Sequence, residues 1–341
     1  MRSAIIGCGY VGCALAEALV RAGHDVVATT TTPERVAVIE SINDRVLASG
    51  VDPCPGHTRP SPASPPGPVS GAPARGGGPA YGDPEGRHGM TTEASEGPAA
   101  ARGKPRIAAH VLEHSRLGEL RALLTDCTVV YLTLAPGGRG GDYRAVYLDG
   151  TRNLLRAVEN TSIRQIIYTS STQVYGQEDG SWVDEESPTK PRSVNGLALL
   201  AAEQALLEDP VGGQAVGPAL VSTTVVRLGG IYGPGRDLGE RIRAAAGTQR
   251  SDGDAYVNLI HRDDIVVALV RLIDVPYRGI LNLVDDTPMK RRELYDRVMA
   301  TAGLPGVRWI MGGVVQRSGK RVRNGLIKRT LGLTLQHPRA Q

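Results

Sequence analysis

The chain has 341 residues and a formal net charge of +4, and it contains no phenylalanine. This length is enough for one large α/β domain, or two smaller ones, with a sizeable core. The mild charge makes no electrostatic case for nucleic acid or an anionic membrane surface, and the aromatic fraction of 4% leaves few stacking platforms for single-stranded nucleic acid. We therefore expect no nucleic-acid partner and no membrane partner.

The four cysteines, Cys8, Cys13, Cys54 and Cys127, form no C-x-x-C pair and no Cys/His cluster with zinc spacing. We therefore expect no metal site and reduced thiols. Cys8 lies in a glycine-rich turn, where a helix N-terminus lowers a thiol pKa; alternatively it is a small residue that fits the turn. The opening MRSAIIGCG has no secretory leader, so we expect a cytoplasmic protein, or a protein of the plastid stroma if the chain is plastid-targeted and processed.

The first fifty residues alternate between strand and helix patterns. Residues 3–7 (SAIIG) predict a buried strand, 10–22 an Ala/Leu-rich helix and 24–29 a second strand, and a second helix is predicted from Pro33. This order predicts a Rossmann-type, doubly wound α/β fold, with a parallel sheet and helices on both faces.

Residues 51–104 have a different character, because Pro, Gly, Ala and Ser dominate and large hydrophobic residues are almost absent. Such a segment buries too little apolar surface to offset its ordering entropy. We predict a disordered insertion in a surface loop, which a fold tolerates because closure entropy grows slowly with loop length.

Strand and helix patterns alternate again after the insertion. Beyond Gly235 the elements become shorter and predict a smaller α/β lobe. We assign 1–50 and 105–235 to the Rossmann domain and 236–341 mostly to a substrate-side C-terminal lobe. The predicted helices lie near 114–124, 143–159, 195–208 and 291–302, and the predicted strands at 128–134, 165–169, 222–228 and 280–284.

The string GCGYVG, Gly7–Gly12, fits the G-x-G-x-x-G pattern and lies between a predicted strand and a predicted helix. In this pattern Gly7 permits the tight turn, Gly9 lets a pyrophosphate approach the backbone, and Gly12 permits close packing of helix on strand. The N–H groups that open the helix, at Tyr10 and Val11, then face the phosphates. We predict that these five residues bind a dinucleotide; a tight turn without a ligand is the alternative.

The end of the second strand selects the cofactor in such folds. An acidic residue there binds the ribose hydroxyls of NAD, whereas a nearby arginine favours the 2′-phosphate of NADP. This chain has TTTTPER, Thr29 to Arg35, with no acidic residue at the strand end. We therefore predict NADP in preference to NAD, with Thr30, Thr31 and Arg35 toward the adenosine ribose. The structural alternative is that the threonines cap the helix predicted from Pro33.

Five further strings occur in a fixed order along the chain. With GCGYVG and TTTTPER they resemble the extended short-chain dehydrogenase/reductase superfamily, of the nucleotide-sugar epimerase/dehydratase type. The resemblance covers nearly everything outside the insertion, and the ordered set is far more specific than any one string. The strings are YLDGTRNLLRAV (147–158), IIYTSSTQVYG (166–176), VVRLGGIYGPGR (225–236), NLIHRDDIVVAL (258–269) and ILNLVDD (280–286).

The resemblance implies where the reaction centre lies. In that superfamily one hydroxyl of the S-S-T-x-V-Y-G string helps to bind the reacting oxygen, and Ser171 matches it by position. The next helix normally carries a Tyr that transfers the proton and, four residues later, a Lys that lowers the pKa of the Tyr and holds the nicotinamide ribose. Aligned on Gly196 and Glu203, this chain has Asn195 at the Tyr position and Leu199 at the Lys position.

This departure removes the usual route of catalysis. Asparagine is no acid or base at neutral pH, and loss of a general acid costs about a hundredfold to ten-thousandfold in rate. Asn195 is therefore expected to be non-catalytic, either bonding a ligand or capping the helix predicted from Gly196. Tyr175 and Lys190 offer no substitute, because one belongs to the V-Y-G turn and the other precedes the helix.

GCGYVG, the T-T-x-T-P-E pattern, WVDEESP (182–188) and the N-G at 195–196 resemble the atypical, YeeZ-like branch, in which many members lack the Tyr or the Lys. The matched motif around His261 uses an Asp to tie its segment to the core, so neither a base nor a metal pair is expected there.

Two further residues are expected near the ligands. Arg236, in a Gly/Pro turn, is the candidate to meet an anionic small-molecule substrate, and Ala135 lies on the path to the nicotinamide. Two functions are open: an NAD(P)-binding oxidoreductase or epimerase-like enzyme, and a non-catalytic dinucleotide-binding redox sensor or scaffold.

Overall fold

The computed structural model describes residues 1–49, 104–113, 116–136, 141–208, 221–310 and 318–337, and every element named below belongs to one compact unit. The predicted insertion at 51–104 lies outside the described residues except for Lys104. Within the described ranges, none of the helices has the length and apolarity needed to cross a membrane.

The strands divide into a large central sheet and several short pairs. In chain order they are β1 Arg2–Ile6, β2 Asp25–Thr30, β3 Ile107–Val111, β4 Val129–Leu132, β5 Gln165–Ser171, β6 Asp179–Val183, β7 Ser222–Leu228, β8 Gly230–Tyr232, β9 Gln249–Arg250, β10 Tyr256–Val257, β11 Leu259–His261, β12 Gly279–Leu283, β13 Met289–Lys290, β14 Arg308–Trp309 and β15 Gly319–Val322.

The central sheet has seven strands in the order β12-β7-β5-β4-β1-β2-β3, and every neighbouring pair is parallel. The order reverses beside β1, since β2 lies on one side of it and β4 on the other. Ligands of open α/β sheets bind outside the carboxyl ends of the strands at such a switch point. The sheet therefore places its candidate site at the ends of β1, β4 and β5.

The helices cover both faces of this sheet. They are α1 Tyr10–Arg21, α2 Glu34–Glu40, α3 Ile42–Ala48, α4 Leu117–Leu124, α5 Gly150–Val158, α6 Val194–Glu208, α7 Leu238–Arg243, α8 Arg262–Asp274, α9 Arg291–Ala302 and α10 Gly325–Leu331, with a π-helical segment at Arg144–Asp149 before α5 and a 3-10 turn at Thr172–Val174.

Alternation along the strands produces two separate cores. In β1 the side chain of Ile5 packs into the core formed with α1, α3 and α8, while Ala4 and Ile6 pack into the core formed with α4, α5 and α6. Successive strand residues point to opposite faces, so a strand buried on both faces is apolar throughout. This arrangement confirms the predicted doubly wound Rossmann-type fold.

Most predicted elements match within one to three residues, and four features differ. No pattern in the sequence indicated β3, whose IAAHV follows the insertion, or α3 as a separate helix. The helix predicted at 143–159 begins with the π-helical segment. Finally, β12, from the part assigned to the smaller lobe, pairs with β7 and forms one edge of the central sheet.

A small third core between α7 and α9 is built on Ile242, Met289 and Leu294.

Candidate functional site

The glycine-rich turn connects β1 to α1 at the switch point. Gly7 has φ of +88°, a conformation that favours glycine, and its N–H donates to Thr29 Oγ1 at 3.1 Å. A Cβ added to Gly12 would lie 3.1 Å from Thr133 Oγ1 and 3.2 Å from Ile5 Cγ2. At Gly9, by contrast, the nearest atom to an added Cβ is 3.9 Å away. The turn is therefore packed closely beneath and open above, where a ligand would approach.

The start of α1 leaves its first backbone N–H groups without a side-chain cap from the described residues. Its first turn contains no acidic residue, and its N-cap, Gly9, offers no side chain to the free N–H groups. These N–H groups and the helix dipole favour a phosphate at this position. Val11 is buried beneath, whereas Gly9 and Tyr10 are partly exposed.

The end of β2 lies beside this turn. Thr30 is buried, and its Oγ1 accepts a hydrogen bond from Thr32 N at 3.2 Å, so its hydroxyl turns the chain toward α2. Thr31 is exposed. The N-cap residue of α2 is Pro33, and no side chain among the described residues makes a capping hydrogen bond at this start of the helix. The predicted capping of α2 by the threonines is therefore not observed. The Arg35 guanidinium reaches back to α1, where its Nη2 donates to Cys13 Sγ at 3.5 Å.

Arg236 lies above the glycine-rich turn. Its guanidinium carbon is 4.3 Å from the centroid of the Tyr10 ring, and that of Arg262 is 5.4 Å from the same centroid. Burial raises the pKa of the Tyr10 phenol, so the ring stays neutral beneath two cations. The Arg predicted to meet a substrate is thus placed next to the cofactor turn.

The ends of β4 and β5 adjoin each other in the sheet. Ala135 is exposed just beyond β4, and Ser171, partly buried, is the last residue of β5. Ser171 Oγ accepts a hydrogen bond from Gln173 N at 3.2 Å, which starts the 3-10 turn. The hydroxyl proton of Ser171 is not used in that bond and is available to a ligand.

Helix α6 begins at Val194, not at Gly196, and its first turn is capped by Ser193, whose Oγ accepts from Gly196 N at 3.0 Å. The predicted capping role of Asn195 is therefore wrong. Asn195 is partly exposed in that first turn. A Cβ at Gly196 would lie 3.0 Å from Gln173 O, so glycine allows α6 to approach the turn after β5. Leu199 is 3% exposed within the core, where the superfamily has its Lys.

A buried ion pair ties α6 to the sheet. Arg227 on β7 contacts the Glu203 carboxylate at 2.6 Å, with the two side chains 3% and 1% exposed. Ser170 Oγ donates to the same carboxylate at 2.5 Å. Arg227 Nη1 also donates to Tyr175 Oη at 2.9 Å, and that hydroxyl donates to Asn282 Oδ1 on β12. Burial raises the pKa of Tyr175, so this tyrosine is a structural member of the network and not a free acid.

A cavity of about 590 Å³ opens beyond the end of β5. Its two carboxylates are already paired, Glu178 with Arg192 at 2.9 Å and Asp252 with Arg291. Lys320 is the cation outside these two pairs, and burial lowers the pKa of its ammonium group. The residues that line the cavity include Gln173, Arg192, Ser193, Tyr256, Arg291 and Lys320.

The segment around His261 is built for structure. Asp264 is 1% exposed and accepts from the backbone N–H groups of Gln336 and His337 at 2.7 and 3.0 Å, as the motif implied. His261 Nδ1 accepts from Asp263 N at 3.2 Å and so caps α8. Donor atoms of His261, Asp263 and His337 lie within 4.8 Å of one another, but the two imidazole rings stack at 3.6 Å. Stacked rings do not direct their nitrogens at one shared ion.

Comparison with known proteins agrees with this geometry. The model of the NAD dependent epimerase/dehydratase family matches residues 87–283, more than half of the 341 residues. Protein YeeZ of Escherichia coli is 31% identical over 216 residues, which are 63% of this chain and 73% of that protein. The chain belongs to the NAD-dependent epimerase/dehydratase family. Membership confirms the resemblance and, at family level, the expectation of a nicotinamide dinucleotide.

Three further matches cover nearly all or part of the chain. Residues 2–53 match the family described as NADP oxidoreductase coenzyme F420-dependent, a range that contains the G-x-G-x-x-G turn at Gly7–Gly12. The 3-diazoavenalumate denitrifying reductase of a Streptomyces species is 26% identical over 176 residues, 50% of this chain and 56% of that protein. The structure of MoeE5 with UDP-glucuronic acid and NAD has a TM-score of 0.66 at 19% identity, covering 98% and 93% of the two chains.

The tertiary structure adds residues that sequence reasoning missed. Cys13, Arg262 and Thr133 all surround the glycine-rich turn, and Lys320 comes from β15. Cys13 follows directly after Gly12, the last residue of the G-x-G-x-x-G motif. This position was the feature of the sequence that could have indicated its place at the turn. Lys320 reaches the cavity from a distant segment and lies in no motif, whereas Arg262 lies within the NLIHRDDIVVAL string, which did not indicate its contact with Tyr10.

Proposed function

We propose that the protein binds NADP(H) with the pyrophosphate on the glycine-rich turn. The observation that carries this proposal is the asymmetry of the turn, in which a Cβ at Gly12 meets atoms at 3.1–3.2 Å while Gly9 is open. Close packing below and free backbone above suit a pyrophosphate and its approach to the helix N-terminus. Arg236 and Arg262, over Tyr10, add positive charge on the same side.

The adenosine end of the site favours a phosphate. Strand β2 ends at Thr30 with no carboxylate to accept from the ribose hydroxyls of NAD. Thr31 is exposed there, and Arg35 is held near α1 by its contact with Cys13. From this end the dinucleotide would extend past Ala135 to Ser171, which lie beyond and at the ends of adjacent strands.

We propose that the protein is an oxidoreductase of the epimerase/dehydratase type that acts on a small organic anion. The cavity beyond β5 would hold the substrate, with Lys320 meeting its negative charge. Bound nicotinamide supplies or accepts a hydride, and Ser171 offers a hydroxyl donor to the reacting oxygen. Asn195 and Leu199 replace the Tyr/Lys pair, so that pair supplies no proton to the reacting oxygen. Substrates that react without a proton from such a pair are therefore favoured. One relative is named a denitrifying reductase.

A non-catalytic redox sensor or scaffold is the second candidate. Leu199 favours it, because an apolar side chain packed in the core cannot hold the nicotinamide ribose. Such a protein would bind the cofactor without turnover.

Isothermal calorimetry with NADPH, NADP⁺, NADH and NAD⁺ tests binding, and a cofactor-absorbance screen over nucleotide sugars and carbonyl acids tests turnover. Binding with turnover supports the enzyme, binding without any turnover supports the sensor, and no binding refutes both. NADH binding tighter than NADPH refutes the cofactor preference.

Lys320 provides a separate test of the substrate cavity. Lys320→Gln should raise KM for an anionic substrate found in the screen and leave cofactor affinity unchanged. Lys328→Gln is the matched control, because Lys328 pairs with Asp286 away from this cavity. Equal KM values for the two variants would contradict the role of Lys320.

A further inference from the structure

Two cysteines meet within the glycine-rich turn. Cys8 Sγ and Cys13 Sγ are 3.7 Å apart, and Cys13 Sγ also lies 3.6 Å from Cys8 O. Cys8 is 2% exposed, while Cys13 in the first turns of α1 is partly exposed. The two residues therefore enclose Gly9–Gly12, the stretch proposed to meet the pyrophosphate.

The pair is electrostatically unequal. The hydrogen bond from Cys8, followed by the Arg35 and Arg45 guanidinium groups, lowers the pKa of Cys13 to about 6. The same hydrogen bond and burial raise the pKa of Cys8 well above its ordinary value. At neutral pH the pair thus favours a thiolate on the partly exposed Cys13 and a thiol on the buried Cys8, the arrangement of a reactive cysteine with a resolving partner. Cys127 differs, because burial raises its pKa to about 11.

We propose that Cys8 and Cys13 form a redox-modification site, in which a peroxide converts them into an intramolecular disulfide that opposes dinucleotide binding. The second half of this proposal rests on the proposed cofactor site; the disulfide itself does not. Neither thiol has a part in the proposed chemistry at the nicotinamide end, so the pair adds a control function to the site.

The oxidation balances with hydrogen peroxide as the only oxidant. The Cys13 thiolate attacks one peroxide oxygen, the O–O bond breaks, and the leaving hydroxide takes a proton to become water. Cys13 is then a sulfenic acid. The Cys8 sulfur attacks the Cys13 sulfur, the S–O bond breaks, and the hydroxyl leaves as water with the Cys8 proton. Two thiols and one peroxide thus become one disulfide and two waters.

Disulfide formation moves the side chains at both ends of the turn. A disulfide has an S–S length of about 2.05 Å, so the sulfurs must approach by roughly 1.7 Å from their present 3.7 Å. Cys8 is held to β2 by its N–H, which donates to Thr29 O at 2.7 Å, and Cys13 is held within α1. The adjustment therefore falls on the side-chain torsions of the two cysteines and on the backbone between them, which is the part open to the phosphates. Coupling is reciprocal, so a bound dinucleotide must also oppose disulfide formation.

Peptide mapping of the full-length protein decides whether the disulfide forms. Trypsin releases residues 3–21 as one peptide that contains Cys8 and Cys13 and no other cysteine. After treatment with hydrogen peroxide and alkylation, this peptide should be unalkylated and lighter by two hydrogens than the dithiol. Prior NADPH should slow its formation. A peptide that takes two alkyl groups after peroxide overturns the proposal.

Calorimetry with NADPH then decides the coupling. The oxidised protein should bind NADPH at least about tenfold more weakly than the reduced protein, and dithiothreitol should restore the affinity. In Cys8→Ser, Cys13 should stop at a dimedone-reactive sulfenic acid, whereas Cys127→Ser should behave as the wild type. A disulfide with unchanged NADPH affinity refutes the coupling. Failure of the reduced protein to bind any dinucleotide refutes the proposed cofactor site instead, while the mass of the peptide still decides the disulfide.

Discussion

Replacing Glu203 with leucine is expected to lower the free energy of unfolding by about 3–5 kcal/mol. The Arg227 guanidinium makes three contacts of 2.6–3.1 Å with the Glu203 carboxylate, and its side chain is only 3% exposed. Without Glu203 the cation stays buried, with Tyr175 Oη at 2.9 Å as its neighbour in the network. Breaking a buried pair costs far more than the pair contributes, because the partner is left as an uncompensated charge.

Urea unfolding followed by circular dichroism measures this cost. The double variant Glu203→Leu/Arg227→Leu removes both charges, so it should be less destabilised than the two single variants together by at least about 2 kcal/mol. Glu159→Leu is the control, because its pair with Arg121 spans 3.8 Å between side chains 49% exposed, and it should change stability by no more than about 1 kcal/mol. A loss below about 1 kcal/mol for Glu203→Leu, or additive single variants, would refute the reasoning.

Three further outcomes follow from the site. Gly12→Ala should weaken NADPH binding by about tenfold or more in calorimetry, since its Cβ would meet atoms at 3.1–3.2 Å, whereas Gly118→Ala, with open space around it, should leave binding unchanged; equal affinities would contradict the fit. Ser193→Ala should cost about 1 kcal/mol of unfolding free energy through loss of the α6 cap, measured in urea, and no measurable change would contradict the cap. Alkylation of Cys13 by iodoacetamide should rise with pH through a midpoint near its pKa of about 6, while Cys127, with a pKa of about 11, stays slow at neutral pH. Because the Cys13 pKa is lower in the folded state than its ordinary value of 9.0, the thiolate stabilises the fold at pH values above 9.0. This contribution is lost as the pH falls toward 6. An alkylation midpoint near pH 9.0 would contradict the arrangement.

Strands buried on both faces and amphipathic helices could be predicted from the sequence, because their residue patterns are local. β1, β5 and β7 each contain adjacent β-branched residues, and α9 was predicted with the bounds that the structure has. β3 was not predicted, because its five residues follow a long insertion and β2, its neighbour among the described strands of the sheet, is distant along the chain. The place of β12 in the central sheet likewise depends on pairing with β7, and no local pattern states a partner.

For the site, the sequence by itself determined the glycine-rich turn, the hydroxyl-rich end of β2 and the absence of the Tyr/Lys pair, since each is carried by residue type at fixed spacing along one segment. The tertiary structure alone decided that Arg236 lies over Tyr10. It also decided that Arg227 on β7 forms an ion pair with Glu203. The same holds for the Cys8 and Cys13 thiols, which share Arg35 as a neighbour. These contacts join segments separated by up to 226 positions, Tyr10 and Arg236 being the widest pair. A side chain's partner across such a distance is set by how the helices pack on the sheet, which is a property of the whole fold.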